Sequence, residues 1–163
     1  MAMTISGFIS RPEKPWLFTT QKTITQQDIP EGILLLELNA VSMSNLDDLY
    51  REFAAAFKFP DYFGYNFNAL DECITDLEWL PADGYLLVIK NSDRLLSKEP
   101  NDILESFLSI LDSAGEEWAT PIVQGEDWDR EEVPFHVLLE LDKGKVPSFQ
   151  SRLKNLGFEI DNL

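Results

Sequence analysis

Gly84-Tyr-Leu-Leu-Val-Ile-Lys90 is a short, nearly unbroken apolar run, the pattern of a strand buried on both faces. A second run of the same kind lies upstream at Ile33-Leu-Leu-Leu-Glu-Leu38, after Gly32, and a third downstream at Phe135-His-Val-Leu-Leu-Glu-Leu141. The intervals are helical in period. Ser44-Asn-Leu-Asp47 has the form of a capping box and opens a helix with Leu46, Leu49, Phe53 and Phe57 on one side. A second helix is expected from about Asn66 to Glu78. Pro100 suits the first turn of a third, whose stripe is Ile103, Leu104, Phe107, Ile110, Leu111 and Ala114, with Gly115 as its stop. Strands alternating with helices imply parallel pairing under a helical cover, hence one α/β domain.

Outside this pattern, residues 1–32 read as an N-terminal arm packing on the domain, punctuated by Pro12, Pro15 and Pro30, with Trp16-Leu17-Phe18 seeking a surface. Residues 142–163 read as a C-terminal extension with a short helix from Ser148 to Leu156 and an extended end at Phe158–Ile160.

Composition narrows the function. The 163 residues are 44% hydrophobic, enough for a sizeable core, and no apolar run reaches the roughly 18 residues of a membrane span. Met1-Ala-Met-Thr-Ile5 lacks a basic segment followed by a long apolar one, so no secretory leader is expected. One cysteine, Cys73, excludes an internal disulfide and fits a reducing cytoplasm. One histidine, His136, excludes a histidine-rich metal site. No cofactor motif, phosphate-binding loop or nucleophile elbow is present.

The 29 acidic and 13 basic residues give a net charge of −16, of which residues 33–142 hold 24 acids and six bases. Such a chain is repelled by nucleic acid and anionic lipid. Its acidity serves either solubility alone or a strongly basic protein partner.

At about 100° per residue, the second helix has two faces. Phe67, Leu70, Ile74 and Leu77 form a core stripe within about 80°, with Cys73 at its edge as a buried hydrophobe. Asn68, Asp71, Glu72, Thr75 and Asp76 share the opposite arc of about 140°, with no Lys or Arg among them. Before them runs Pro60-Asp-Tyr-Phe-Gly-Tyr-Asn66, in which Phe63 is expected to plug the core and Tyr62 to reach solvent. Glu126-Asp-Trp-Asp-Arg-Glu-Glu132 lacks the spacing and turn glycine of an EF-hand and is expected to be a solvated, mobile loop, with a second contact for a basic partner or a divalent-ion loop as the alternatives. His136, on an apolar strand, reads as a satisfied structural histidine.

The stretch Phe59-Pro-Asp-Tyr-Phe-Gly-Tyr-Asn-Phe-Asn-Ala-Leu-Asp-Glu-Cys-Ile-Thr-Asp76 resembles the central segment of the barstar family, intracellular inhibitors of barnase-type ribonucleases. Pro60, Tyr62, Phe63, Gly64, Asn66, Asn68, Ala69, Leu70, Glu72 and Cys73 fit the family pattern in register, and the elements over roughly 33–141 follow its order. The resemblance implies a small parallel sheet of about three strands flanked by helices. It also implies that Tyr62, Asn66, Asn68, Asp71, Glu72, Thr75 and Asp76 bind a basic ribonuclease, one to one, as an immunity protein meets a toxin. Asn68 stands where the type inhibitor has aspartate and Asp71 where it has tryptophan, so the partner surface is differently shaped. Ser109 and Ser113 fall where that inhibitor has carboxylates. An adaptor of the same fold with a non-nuclease basic partner is the alternative; a metal-dependent hydrolase is a distant third. No catalytic or metal-binding residue is expected.

Overall fold

A computed structural model describes residues 5–163; residues 1–4, which carry most of the stretch read for a leader, lie outside the described residues. The elements follow in the order α1 (Ile5–Ile9), β1 (Leu17–Thr20), β2 (Ile33–Asn39), α2 (Leu46–Ala56), α3 (Phe67–Asp76), β3 (Gly84–Lys90), α4 (Asn101–Ala119), β4 (Phe135–Glu140) and α5 (Val146–Asn155). The sheet is wholly parallel, in the order β1-β4-β3-β2. β2 runs beside β3 from Ile33↔Gly84 to Asn39↔Lys90, and β4 beside β3 from Phe135↔Tyr85 to Leu139↔Ile89.

The α/β class is therefore as the sequence reads, but the sheet has four strands rather than about three. The additional strand, β1, comes from the segment read as an arm, and pairs with β4 from Leu17↔Val137 to Thr20↔Glu140. Its four residues end in two threonines, too short and too polar to declare a strand locally. The chain end lies against its other side, where Thr19 N donates to Asp161 O at 2.9 Å and Leu163 N to Thr19 O at 2.8 Å. The extended end thus falls at 161–163, just beyond the 158–160 read from sequence.

Alternation along β3 divides two cores. Tyr85, Leu87 and Ile89 face α2, α3, α4 and α5, in a cluster that includes Phe53, Phe57, Leu70, Ile74, Phe107, Leu111 and Leu153. Phe53 stacks on Phe57 and meets Phe107 edge-on, with centroids 5.4 and 5.6 Å apart. Each such fully buried phenyl contributes about 1.5–3 kcal/mol by leaving water. Leu86 and Val88 point the other way, with Leu138 and Phe18, and are covered by Ile9, Ile24 and Ile29. Both faces of the central strand are dry, as its continuous apolar run requires.

His136 is fully buried at the junction of sheet and N-terminal segment. Its Nδ1 lies 3.0 Å from Pro15 O and its Nε2 2.5 Å from Arg11 O. Burial holds its pKa below the ordinary value, against the two carbonyls and Glu13, which favour the charged form. A neutral ring carries one N–H, so one contact is a donated bond and the other sets a lone pair against a carbonyl.

Two helix ends differ from the sequence reading. Asn45, not Ser44, caps α2, its Oδ1 accepting from Asp48 N at 2.9 Å, while Glu99 accepts from Leu46 N at 2.9 Å. A carboxylate distant in sequence thus takes a donor that a capping box would have satisfied locally. Nor does α4 stop at Gly115. It continues to Ala119, and Gly115 lies buried within it because Trp16 packs there: a Cβ on Gly115 would meet Trp16 Cβ at 2.4 Å. This glycine serves close approach rather than termination.

Candidate partner-binding surface

Asn66 caps α3. Its Oδ1 accepts from Ala69 N at 2.8 Å and its Nδ2 donates to Gly64 O at 3.2 Å, joining the preceding loop to the helix. Under that loop runs a ladder of rings, in which Phe63 lies 4.8 Å from Phe59, 4.9 Å from Tyr65 and 6.1 Å from Tyr50. Phe63 is buried and Tyr62 is 71% exposed, as the sequence reads. Tyr65 lies outside the seven residues expected from the sequence. It is 55% exposed and sits at φ 53°, a left-handed conformation that a residue with a bulky ring rarely adopts and that local sequence does not signal.

The structure brings the seven expected residues onto the loop and one helix face. Tyr62, Asn66, Asn68, Glu72 and Asp76 are exposed, Asp71 and Thr75 half-buried, and Leu70, Cys73 and Ile74 face the core. Among the described residues, none of Asp71, Glu72 and Asp76 forms an ion pair. Thr75 Oγ1 donates to Asp71 O at 2.7 Å, which leaves its oxygen free to accept.

The exposed Tyr62 hydroxyl lies within electrostatic reach of this face. Partial desolvation, then Cys73, Asp76, Glu78 and Glu72, hold its hydroxyl above the ordinary pKa. Glu78, just past the helix, is thereby a further carboxylate beside Tyr62 that the helical arc does not include. Burial and then Glu72 push the Asp71 carboxyl up. Burial, then Asp76 and Glu72, push the Cys73 thiol up as well, away from the thiolate a nucleophile needs. The face thus gathers carboxylates that form no ion pair among the described residues, with Arg130 acting on Asp76 from its C-terminal end.

Beyond Asn68 and Asp71 the surface continues into a groove of about 230 Å³, lined also by Phe67, Ser109, Ile110 and Ser113. The two serines of α4 therefore stand beside the acidic helix. At the other end α3 closes with Leu77 at φ 51°. Its last carbonyls are taken by side chains from afar: Trp118 Nε1 donates to Ile74 O at 2.8 Å and Arg130 Nη1 to Thr75 O at 3.3 Å. A cation at a helix C-terminus is favoured by the peptide dipoles. Arg130 also lies over the Trp118 ring, its Cζ 3.7 Å from the centroid. The only trace of this in the sequence is one base within an acidic segment. Among the described residues, no group of three or more His, Cys, Asp or Glu could hold a metal ion, and no helix is long and apolar enough to cross a membrane.

A model of the family described as barstar (barnase inhibitor) matches residues 33–140. The chain belongs to the barstar family. The match runs from the first residue of β2 to the last of β4 and so takes in the sheet core, α2, α3 and α4 of this barstar-family chain. Comparison with curated proteins returns no match. Barstars are inhibitors rather than enzymes, and the family as a whole is directed at ribonuclease-type partners.

Proposed function

We propose that this barstar-family chain is a cytoplasmic inhibitor, in the manner of an immunity protein, that binds a basic ribonuclease toxin one to one and occludes its active site with α3 and the 60–66 loop. One observation carries the reading: a helix face with no Lys or Arg of its own, on which Asp71, Glu72 and Asp76 form no ion pair among the described residues, flanked by an exposed tyrosine on a loop stiffened from beneath. A nuclease that binds phosphodiesters presents Arg and Lys in its cleft. Carboxylates spaced along a helix can take the places of phosphates there through charge-assisted hydrogen bonds. Glu72, in mid-helix, is the central contact, with Asp71 and Asp76 beside it. Tyr62 supplies an aromatic anchor, Asn68 and Thr75 hydrogen bonds at the rim, and Asn66 the shape of the loop. No bond is made or broken by the chain. The net charge of −16 raises the encounter rate with a basic enzyme, an effect that salt screens.

The test is RNA cleavage by barnase, and by basic nucleases captured from the source cells and their secretions, with wild type or with Glu72→Ala/Asp76→Ala. Suppression by wild type, lost in the double variant and weakened by salt, is expected. Equal suppression by both proteins moves the site off α3; captured partners without nuclease activity remove the inhibitor reading.

A further inference from the structure

The segment that joins α4 to β4 is an ordered hairpin. Ile122 and Arg130 exchange both backbone hydrogen bonds, at 2.8 and 3.1 Å. The turn closes around the Asp129 carboxylate, which accepts from Gln124 N at 3.0 Å and Gly125 N at 2.8 Å. These bonds hold its pKa below the usual carboxylate range. With its backbone so satisfied, the hairpin still turns two large apolar side chains outward: Val123 is 83% exposed and Trp128 62%. The indole N–H of Trp128 reaches only Gln124 Oε1, at 3.0 Å, which fixes the ring without covering it. Around the pair stand Glu126, Asp127, Glu131 and Glu132, while Arg130, the hairpin's one base, is folded inward onto Trp118 and Thr75. Arg130 thereby fastens the base of the hairpin to the last turn of α3, the helix that carries the acidic face.

An exposed tryptophan beside an apolar neighbour, rimmed by one sign of charge, has the composition of an interface anchor. We propose that the 122–130 hairpin is a second docking element that grips the same basic ribonuclease as α3, seating Trp128 and Val123 in an apolar recess ringed by Lys or Arg. The assignment rests on the reading of α3 given above, and charge complementarity selects the occupant. A second copy of this chain would bring acid against acid, and nucleic acid would be repelled by the same rim. The two elements divide the work: α3 supplies salt-sensitive attraction to the cleft, and the hairpin supplies apolar burial, which slows release.

The experiment compares wild type, Val123→Ser/Trp128→Ala and Glu72→Ala/Asp76→Ala for binding kinetics. The probes are barnase and any nuclease that wild type suppresses in the cleavage assay, each at low and high salt. Both hairpin positions are exposed, so folding is retained, and matching circular dichroism spectra check it. The hairpin variant should bind more weakly on the order of 10- to 100-fold, chiefly through faster dissociation and by a similar factor at both salt concentrations. The loss in the α3 variant should shrink at high salt. Trp128 fluorescence should also shift to the blue and resist iodide quenching in the complex. A hairpin variant that binds as wild type while the α3 variant fails overturns this proposal and leaves the α3 reading standing. Unchanged binding by the α3 variant, or no nuclease suppressed, removes the α3 reading and this one with it. Wild type that dimerises through Trp128, or a hairpin that instead holds a non-nuclease protein, overturns the proposal by naming another occupant.

Discussion

Replacing Gly115 by alanine is a sharp test of how the N-terminal segment is docked. In a helix interior this substitution ordinarily stabilises by about 1 kcal/mol. Here the new methyl would lie 2.2 Å from Trp16 Cγ, 2.4 Å from its Cβ and 2.7 Å from its Cδ1. Carbon atoms rest at about 3.5–4.0 Å, so a separation of more than 1 Å must be found. Rotating the indole frees Cγ and Cδ1 but not Cβ, which moves only with the backbone. That backbone is pinned, because Trp16 O accepts from Val137 N at 2.7 Å and the indole N–H donates to Pro12 O at 2.9 Å. The strain belongs at the upper part of the usual overpacking range, about 2–3 kcal/mol, for a net loss of about 1–2 kcal/mol after the helix gain. Urea unfolding followed by circular dichroism should show it, with a fall in Tm of about 2–8 °C. In a Trp16→Ala background the cost should shrink but persist, since alanine keeps the Cβ; in Trp16→Gly it should reverse to a gain. A Gly115→Ala protein more stable than wild type, with Trp16 intact, would refute the packing described.

Arg130→Ala removes the cation from the Trp118 ring and the donor from the end of α3, and should cost about 1–3 kcal/mol in urea unfolding; Arg130→Lys should recover only part, since it loses the planar stack. The His136 pKa is depressed in the folded state, so its neutral form contributes stability above about pH 6.5 that is lost as pH falls through the folded value. Relative to His136→Gln, wild type should therefore lose stability on acidification below pH 6.5; a relative gain would show that the two carbonyls outweigh burial. For Asp71, whose pKa is raised, the folded state is favoured below the unfolded pKa and loses that advantage as pH rises through the folded one. Asp71→Asn should accordingly leave Tm at pH 7 unchanged or slightly higher while weakening binding of a basic nuclease, and a clear fall in Tm would contradict the assignment.

What the sequence disclosed was local in origin. β2, β3, β4 and the faces of α3 follow from runs and periods within single segments, and the exposed acids of α3 are those its helical arc predicts. What it withheld depends on distant partners. β1 becomes a strand only beside β4; Gly115 reads as a stop because its reason, Trp16, is some 100 residues away in the chain. The grip of Arg130 on Thr75 joins segments 55 residues apart. The exposure of Tyr65 is not legible locally, because a tyrosine in the left-handed region runs against propensity, and the ring ladder beneath it holds the loop in that shape.

The pairing of β1 with β4 also orders events during synthesis. β1 must wait for Val137, about 120 residues further along the chain, before it has a neighbour. At about 5–20 residues per second, that delay is on the order of ten seconds on the ribosome. Meanwhile β2, α2, α3, β3 and α4 have emerged and can assemble, whereas Phe18 and Ile9 have only half a surface to cover. The helical side of the molecule can therefore be built as the chain appears, and the opposite side is sealed later, when β1 closes against β4.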